Sequence, residues 1–268
     1  MELTGLGPFF AAETHDPGDV PAAPWRPMSE LRDDPAVLAE RVHAARALLA
    51  VGGGGGSSSS SSSQDAEAVE LRVAASVIQL GLVARIVSPL VALAVLRGRT
   101  APVTLRDLRW QPAPGSTFPL SIAGTDTDAG TDTGTVLGAC PADSDRTPEA
   151  LAHALGTDLI EAAVTELCDA FRPFRVSPHV LWGNVASALN GACGILARAH
   201  PDRSARVNAV LSALLRHPAL AGTWQLSLDD RFQRRSCCLI YRAAPGQAGP
   251  LCGDCVLLGR HRRPAAAR

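Results

Sequence analysis

Four of the seven cysteines fall within nineteen residues near the C-terminus. Cys237 and Cys238 stand side by side, and Cys252 and Cys255 follow after a gap of thirteen, a C-C-x13-C-x2-C array. Thiolates are soft ligands that select zinc, copper(I) or iron-sulfur clusters, and four of them complete either a tetrahedral zinc site or a two-iron cluster. A zinc ribbon usually brings two Cys-x-x-Cys knuckles, and only the second pair here has that form. Adjacent residues of an extended strand point to opposite faces. Cys237 and Cys238 can therefore serve one centre only if the backbone turns locally or the centre lies at a strand end. The other cysteines read as small hydrophobes: Cys140 follows an Asp-rich stretch, and Cys168 and Cys193 sit at apolar helical positions. None of the seven histidines has ligand spacing to the array, and His261 lies in the Arg-rich tail, so a Rieske-type arrangement is not expected.

The run Arg234-Arg235-Ser236-Cys237-Cys238-Leu239-Ile240-Tyr241-Arg242, continued by Leu251-Cys252-Gly253-Asp254-Cys255-Val256-Leu257, resembles the ferric-siderophore reductase family. These are the ferrichrome- and ferrioxamine-iron reductases, whose C-terminal domain carries a 2Fe-2S cluster on a vicinal Cys-Cys plus Cys-x-x-Cys pattern. The helix containing Leu181-Trp182-Gly183-Asn184-Val185-Ala186 and the apolar helix with Arg85 and Ser88-Pro89 are similar too, so the likeness spans about residues 70 to 259. The loop between the cysteine pairs is longer here than in that pattern, with the extra residues in Pro245 to Pro250. The resemblance implies Cys237, Cys238, Cys252 and Cys255 as ligands of a 2Fe-2S cluster. It implies an oxidoreductase that reduces siderophore-bound Fe(III) to Fe(II) in the cytoplasm. Siderophores hold Fe(III) through hard oxygen ligands, and Fe(II), larger and less charged, is gripped far less strongly. Cysteine-only ligation points to the lower part of the iron-sulfur potential range, which runs from roughly −700 to +450 mV.

Arg231, Arg234, Arg235 and Arg242 flank the array. They are candidates to offset the charge of a reduced, four-thiolate cluster and to dock a ferric complex, with Arg234 and Arg235 foremost. Trp182 and Asn184 are candidates to line a substrate cleft, and Gly253-Asp254 reads as a turn with amides free to bond sulfur. No nicotinamide or flavin motif is present, so electrons are expected from an external donor, a ferredoxin or a flavin-dependent reductase. The alternative reading is a four-cysteine zinc-binding structural module on a helical binding protein. A cluster-based regulator would need a basic DNA-reading helix, and none is found.

The surrounding chain must hold these residues in place. Its 268 residues, 46% hydrophobic, suffice for a proper core. Formal net charge is −1, too weak a field to favour nucleic acid, and every basic side chain is Arg. The first thirty residues lack the charged, apolar and small-residue order of an export signal. Leu71 to Leu96 is very apolar but is interrupted by Gln79, Arg85 and Ser88-Pro89, so it reads as a buried helix and not as a membrane span. A reduced cytoplasmic setting makes clustered cysteines metal ligands more readily than disulfides.

The pattern along the chain predicts an α+β fold, mainly α-helical, with a small antiparallel sheet and a Cys-rich cluster-binding loop at the C-terminal edge. Residues 1–30 are Pro-rich and expected to wrap the surface or stay mobile. Residues 31–63 hold a helix, N-capped by Asp34 with Pro35 at its first position, that buries Val37, Leu38, Val42, Ala45, Leu48 and Leu49 and stops at Gly52. A Gly/Ser connector follows, without the pattern of a phosphate loop. Residues 64–230 form the siderophore-reductase-like helical core, 231–259 the cluster segment, and 260–268 a disordered Arg-rich tail. Within the core, a helix from Asp65 is expected to kink or break before Pro89. Val103–Trp110 and Pro119–Ala123 read as a hairpin, and Asp126, Asp128 and Asp132 as a solvated loop in preference to a calcium site. Helices are predicted from Thr147 to Gly156, Asp158 to Phe171, Ser177 to Ala199 and Arg203 to Arg216. Gly183, Ala186, Ser187, Gly191 and Gly194 would allow a neighbour's close approach to the third of these.

Overall fold

Two long apolar helices carry the interior. The computed structural model describes residues 3–53, 69–113, 115, 117–124 and 146–258. The Gly/Ser connector, the Asp-rich stretch with Cys140, and the Arg-rich tail lie outside the described residues. In chain order, strands β1 (Glu13–His15) and β2 (Arg26–Pro27) precede helices α1 (Glu30–Asp33), α2 (Pro35–Gly53) and α3 (Leu71–Arg97). Strands β3 (Leu108–Trp110) and β4 (Leu120–Ala123) come next, then α4 (Pro148–Leu155) and, after a π-helical stretch, α5 (Thr165–Ala170). The chain continues through α6 (Pro178–Ala199) and α7 (Ser204–Leu214) to the hairpin of β5 (Trp224–Leu226) and β6 (Phe232–Arg234).

Helix α3 is buried along nearly its whole surface, as an all-round apolar sequence requires, and packs lengthwise on α6. It passes unbroken through Pro89, where a kink or break was expected, and ends at Gly98, whose φ of 67° lets its N–H return to the Ala94 carbonyl. Helix α6 starts as its sequence predicts, with the Ser177 hydroxyl accepting from the His179 amide and Pro178 in the first turn. Both helices are long and apolar enough to cross a membrane by length and composition; 83% of the apolar window of α3 and 56% of that of α6 are buried within the fold. In α2, Asp34 caps through the Ala36 amide and Leu38 and Val42 are buried, but Leu48 is 59% exposed.

The fold is α+β and mainly helical, with a sheet that is mixed. Strand order is β1-β4-β3-β2, antiparallel except where β1 lies parallel to β4, Thr14 opposite Ile122. The expected hairpin is therefore the centre of a wider sheet whose edges come from the N-terminal segment. That segment is not loose: Phe10 and Met28 have no exposed surface. The reason is Arg85, buried within α3, whose guanidinium donates to the carbonyls of Phe118 (2.9 Å), Phe9 (3.1 Å) and Ala11. A buried cation without a carboxylate draws backbone carbonyls around it, and two of these belong to residues 9–11.

The two helices expected on either side of Gly156 follow one another without a loop through the π-helical stretch Gly156–Val164, and the break between them lies at Ala162, whose φ of −103° and ψ of −106° are not helical. Widening the turn leaves backbone groups unpaired, and the crossing loop takes them up. The Val103 amide donates to the Asp158 carbonyl (2.8 Å) and the Val103 carbonyl accepts from the Ala163 amide (3.1 Å).

Candidate metal centre

The β5–β6 hairpin carries the first cysteine pair out of the core. Trp224 and Phe232 stack across it with ring centroids 6.1 Å apart, and the Trp224 indole donates to the Leu215 carbonyl, pinning the hairpin to the end of α7. The chain then passes close over α6 at Gly183. A Cβ there would lie 2.3 Å from the Ser236 hydroxyl, which donates to the His179 carbonyl. Of the small residues in α6 read as contact points, Gly183 makes this approach; a Cβ on Gly191 would meet nothing within 4 Å.

Cys237 and Cys238 lie just past the end of β6, and Leu239 turns the chain with φ 69°. This local turn is what two neighbouring cysteines need to face one centre. Cys252 and Cys255 sit on a tight turn closed by the Cys255 amide on the Cys252 carbonyl at 3.1 Å. The Arg234 amide donates to the Asp254 carbonyl at 3.0 Å, which ties the second pair back to β6. The Sγ atoms of Cys238 and Cys252 are 3.6 Å apart. Cys238 and Cys255 are buried, Cys237 and Cys252 half-buried.

The thiols polarise one another. Cys238 is held far below the usual thiol range because Cys237 and Cys252 both hydrogen-bond to it, against the opposing effect of burial. Cys237 and Cys252 are pushed up, first by donating to Cys238 and then by burial. Cys255 is close enough for its charge to act on Cys237. Backbone amides also reach sulfur, Leu239 to Cys237 at 3.3 Å, Leu257 to Cys255 at 3.4 Å and Ile240 to Cys238. These sulfur-bonding amides come from the residues two beyond Cys237, Cys238 and Cys255, and not from Gly253 or Asp254.

Beneath the sulfurs runs a buried polar seam. Arg234 has no exposed surface; its Nη2 donates to Cys252 Sγ at 2.7 Å, its Nη1 to Asn184 Oδ1 at 2.8 Å, and its Nε lies 3.2 Å from Asp254 Oδ2. Burial lowers the guanidinium pKa, but Asp254 and the sulfurs of Cys238 and Cys252 more than reverse this, and the net shift is upward. Asn184, also fully buried, donates to the Ser76 carbonyl and hydroxyl and to Gln79 Oε1. The Ser76 hydroxyl donates to the Cys238 carbonyl at 2.9 Å, closing the circuit. Ser187 donates to the Asp254 carboxylate.

This arrangement revises two of the sequence expectations. Arg234 and Asn184 have no surface to offer a substrate; they form the floor under the cysteines. Arg235 is exposed and Trp182 half-buried, and Arg242 is engaged with Glu70 and Gln247. Ser76 and Gln79 were not anticipated as site residues; their signal was that they, like Arg85 and Ser88, are polar side chains within an apolar run. Cys168 and Cys193 are apart from the array, with thiols pushed up to about 12 by burial.

Residues 234–257 match the family model of the FhuF 2Fe-2S C-terminal domain. The segment is similar to a 2Fe-2S domain of that type. Its cofactor is a two-iron, two-sulfur cluster, in keeping with the resemblance to the ferric-siderophore reductases. No curated protein matches the chain. Among solved structures, aerobactin synthetase IucC from a hypervirulent pathotype of Klebsiella pneumoniae is similar at 18% identity and a TM-score of 0.35, over 49% of this chain and 25% of that one. The chain thus spans a quarter of that structure's length, and so slight a likeness carries no argument.

The residues present fit the cluster. A tetrahedral metal with bonds of about 2.3 Å sets its ligand sulfurs about 3.8 Å apart, and the 3.6 Å between Cys238 and Cys252 is close to this. Cys238 is also within hydrogen-bonding reach of Cys237, so three of the four sulfurs lie together. The 2.7 Å guanidinium contact and the backbone amides are the kind of hydrogen bonds to sulfur that a cluster's thiolates accept.

Beside the array an open cleft of about 510 Å³, within the usual size of ligand sites, is lined by Gln225, Leu228, Arg231, Phe232, Gly253 and Leu258. A Cβ at Gly253 would meet nothing within 4 Å, so the turn between Cys252 and Cys255 is bare backbone.

Proposed function

We propose that this protein is a ferric-siderophore reductase, with Cys237, Cys238, Cys252 and Cys255 as the ligands of its 2Fe-2S cluster. The reading rests on the FhuF-type match over 234–257, which contains all four cysteines and the turns that gather them. Bound there, the cluster supplies single-electron transfer. The chain's own residues would do the rest. The turns at Leu239 and Gly253-Asp254 orient the sulfurs, and the helical core, residues 64–230, supplies the buried floor under the segment 231–259. The open cleft at Gly253 would receive a ferric complex next to Cys252, with Arg231 among its lining residues; Arg235 and Trp182 keep exposed surface but do not line it.

One electron delivered to siderophore-bound Fe(III) gives Fe(II), which the hard oxygens release. No segment of the sequence has a nicotinamide or flavin motif, and the electron would come from a ferredoxin or flavin-dependent reductase in the cytoplasm. The test is anaerobic. Protein purified without oxygen should be reddish-brown, contain acid-labile sulfide and, once reduced, yield trapped Fe(II) from at least one member of a panel of ferric siderophores. Colourless protein free of sulfide would remove the cluster reading, and a coloured protein that reduces none of the panel would remove the reductase reading alone.

A further inference from the structure

The four sulfurs are not treated alike by the fold. Cys237 and Cys255 each receive a neutral backbone amide, at 3.3 and 3.4 Å. Cys252 receives the Asp254-paired guanidinium of Arg234 at 2.7 Å, and Cys238, which also has the Ile240 amide, stands 3.6 Å from Cys252 and close enough for its charge to act on Arg234. The charged donor therefore serves the two sulfurs that stand at the separation of one tetrahedral metal's ligands. The other two have only amide dipoles.

Arg234 is held in this position from three sides. Asn184 takes one amino group at 2.8 Å, Asp254 faces Nε at 3.2 Å, and Cys252 takes the other amino group. Asn184 is itself fixed by Ser76 and Gln79 on α3. A guanidinium with no exposed surface cannot be screened by water or swing away, and in so dry a setting a unit charge acts far more strongly on a neighbour than it would in solution.

We propose that Arg234 is the positioning residue for the Cys238 and Cys252 half of the cluster, and that its buried charge raises the reduction potential and draws the added electron to the iron those two sulfurs share. This rests on the cluster reading above. Reduction adds one electron from an external one-electron reductant to one of two ferric ions; no bond breaks, and Arg234, already protonated, takes up no proton. A fixed positive charge beside one iron lowers the energy of the electron there, and the Cys237 and Cys255 half remains ferric.

The test uses the full chain loaded with its cluster and titrated with dithionite against redox mediators, with iron and sulfide content matched across variants. Arg234→Gln should lower the reduced-to-oxidised ratio at a given poise about tenfold, 59 mV for a one-electron couple, and shift the g values of the reduced cluster's electron paramagnetic resonance spectrum. Arg234→Lys should recover part of the potential. Asn184→Leu, which keeps the charge but frees its anchor, should broaden the spectrum, and Arg235→Gln, exposed and off the sulfurs, should leave both readouts unchanged. Cys252→Ser, which puts a harder oxygen on the iron proposed to be reduced, should lower the potential more than Cys255→Ser. Equal potentials in wild type, Arg234→Gln and Arg234→Lys, or the reverse order for the two serine variants, would overturn the proposal. Wild-type protein that assembles no cluster would instead sink the reading beneath it.

Discussion

Among the described residues two arginines are buried, and their surroundings are opposite in kind. Arg85 sits at 2% exposure with three backbone carbonyls around it and no carboxylate, and burial drives its pKa down. Arg234 sits at 0% with Asp254, two cysteine sulfurs and Asn184 around it, and its anionic neighbours drive its pKa up. The first fastens the N-terminal segment onto α3 through Phe9 and Ala11, and any loss of it is a loss of architecture. The second faces groups that carry negative charge when a metal centre is bound. Both cost desolvation, so the difference between them is what each cost secures: strand order in one region, an electrostatic setting for sulfur in the other.

Removing a partner from the charged site should have the largest effect. Asp254→Asn leaves Arg234 buried without its carboxylate, and breaking a buried pair this way costs about 3–5 kcal/mol. In the apo protein the full loss should appear in urea unfolding. With cluster bound, the anionic centre replaces part of the missing charge and the loss should shrink. An equal loss in apo and loaded protein would mean that Arg234 is as indifferent to the sulfurs as Arg85 is.

Arg85→Met is the matching change on the other side. It strands the carbonyls of Phe9, Ala11 and Phe118, and a buried unsatisfied acceptor costs about 1–3 kcal/mol, less where water or relaxation reaches it. A total near 3 kcal/mol is expected, with faster proteolysis of residues 1–28 and unchanged iron content per folded molecule. Iron lost in proportion to nothing but unfolded protein would keep the two regions separate; a cluster potential altered in the folded fraction would join them.

Much of the site was legible because its chemistry is local in sequence. The C-C-x13-C-x2-C spacing, the Ser177-Pro178 start of α6 and the Asp34-Pro35 start of α2 are each decided by residues within a few positions of one another. What escaped was decided at a distance. The strand Glu13–His15 owes its existence to β4, more than a hundred residues on, and its own three residues alternate no apolar face. The π-helical path across Gly156 exists because a loop backbone at Val103 pairs with it. Gln79 was visible only as an interruption that argued against a membrane span, and Ser76 not at all, while their part in holding Asn184 needed α6 laid against α3. Arg234 looked like one of four surface cations until its burial separated it from Arg231, Arg235 and Arg242.

Gly183 offers a smaller, steric handle on the charged region. Ala in its place would bring a methyl to 2.3 Å from the Ser236 hydroxyl, forcing that side chain off the His179 carbonyl or lifting the segment that leads to Cys237. Overpacking of this kind costs about 1–3 kcal/mol. The expected outcome is a modest loss of stability in the apo protein with a larger loss of cluster content, because the strain falls one residue before Cys237, a proposed ligand. Gly191→Ala on the same helix meets nothing within 4 Å and should be neutral or slightly stabilising.

The thiols repeat the contrast with the least perturbation of all, since nothing need be mutated. Cys168 and Cys193 lie in the helical interior, and burial pushes both up to about 12. At pH 8 their thiolate fraction is then about one in ten thousand, and access is closed as well. In the array, Cys238 is held far below the usual thiol range by its two sulfur neighbours, and Cys237 and Cys252 keep part of their surface open. Iodoacetamide at pH 8, read out by site-resolved mass spectrometry, should therefore modify the array in apo protein and spare Cys168 and Cys193. Cluster loading should protect the array too, and chelation of iron should restore its labelling without touching the interior pair. Labelling of Cys168 or Cys193 at the rate of the array would show that the interior opens as readily as the site, and the distinction between a packed region and a reactive one would be lost.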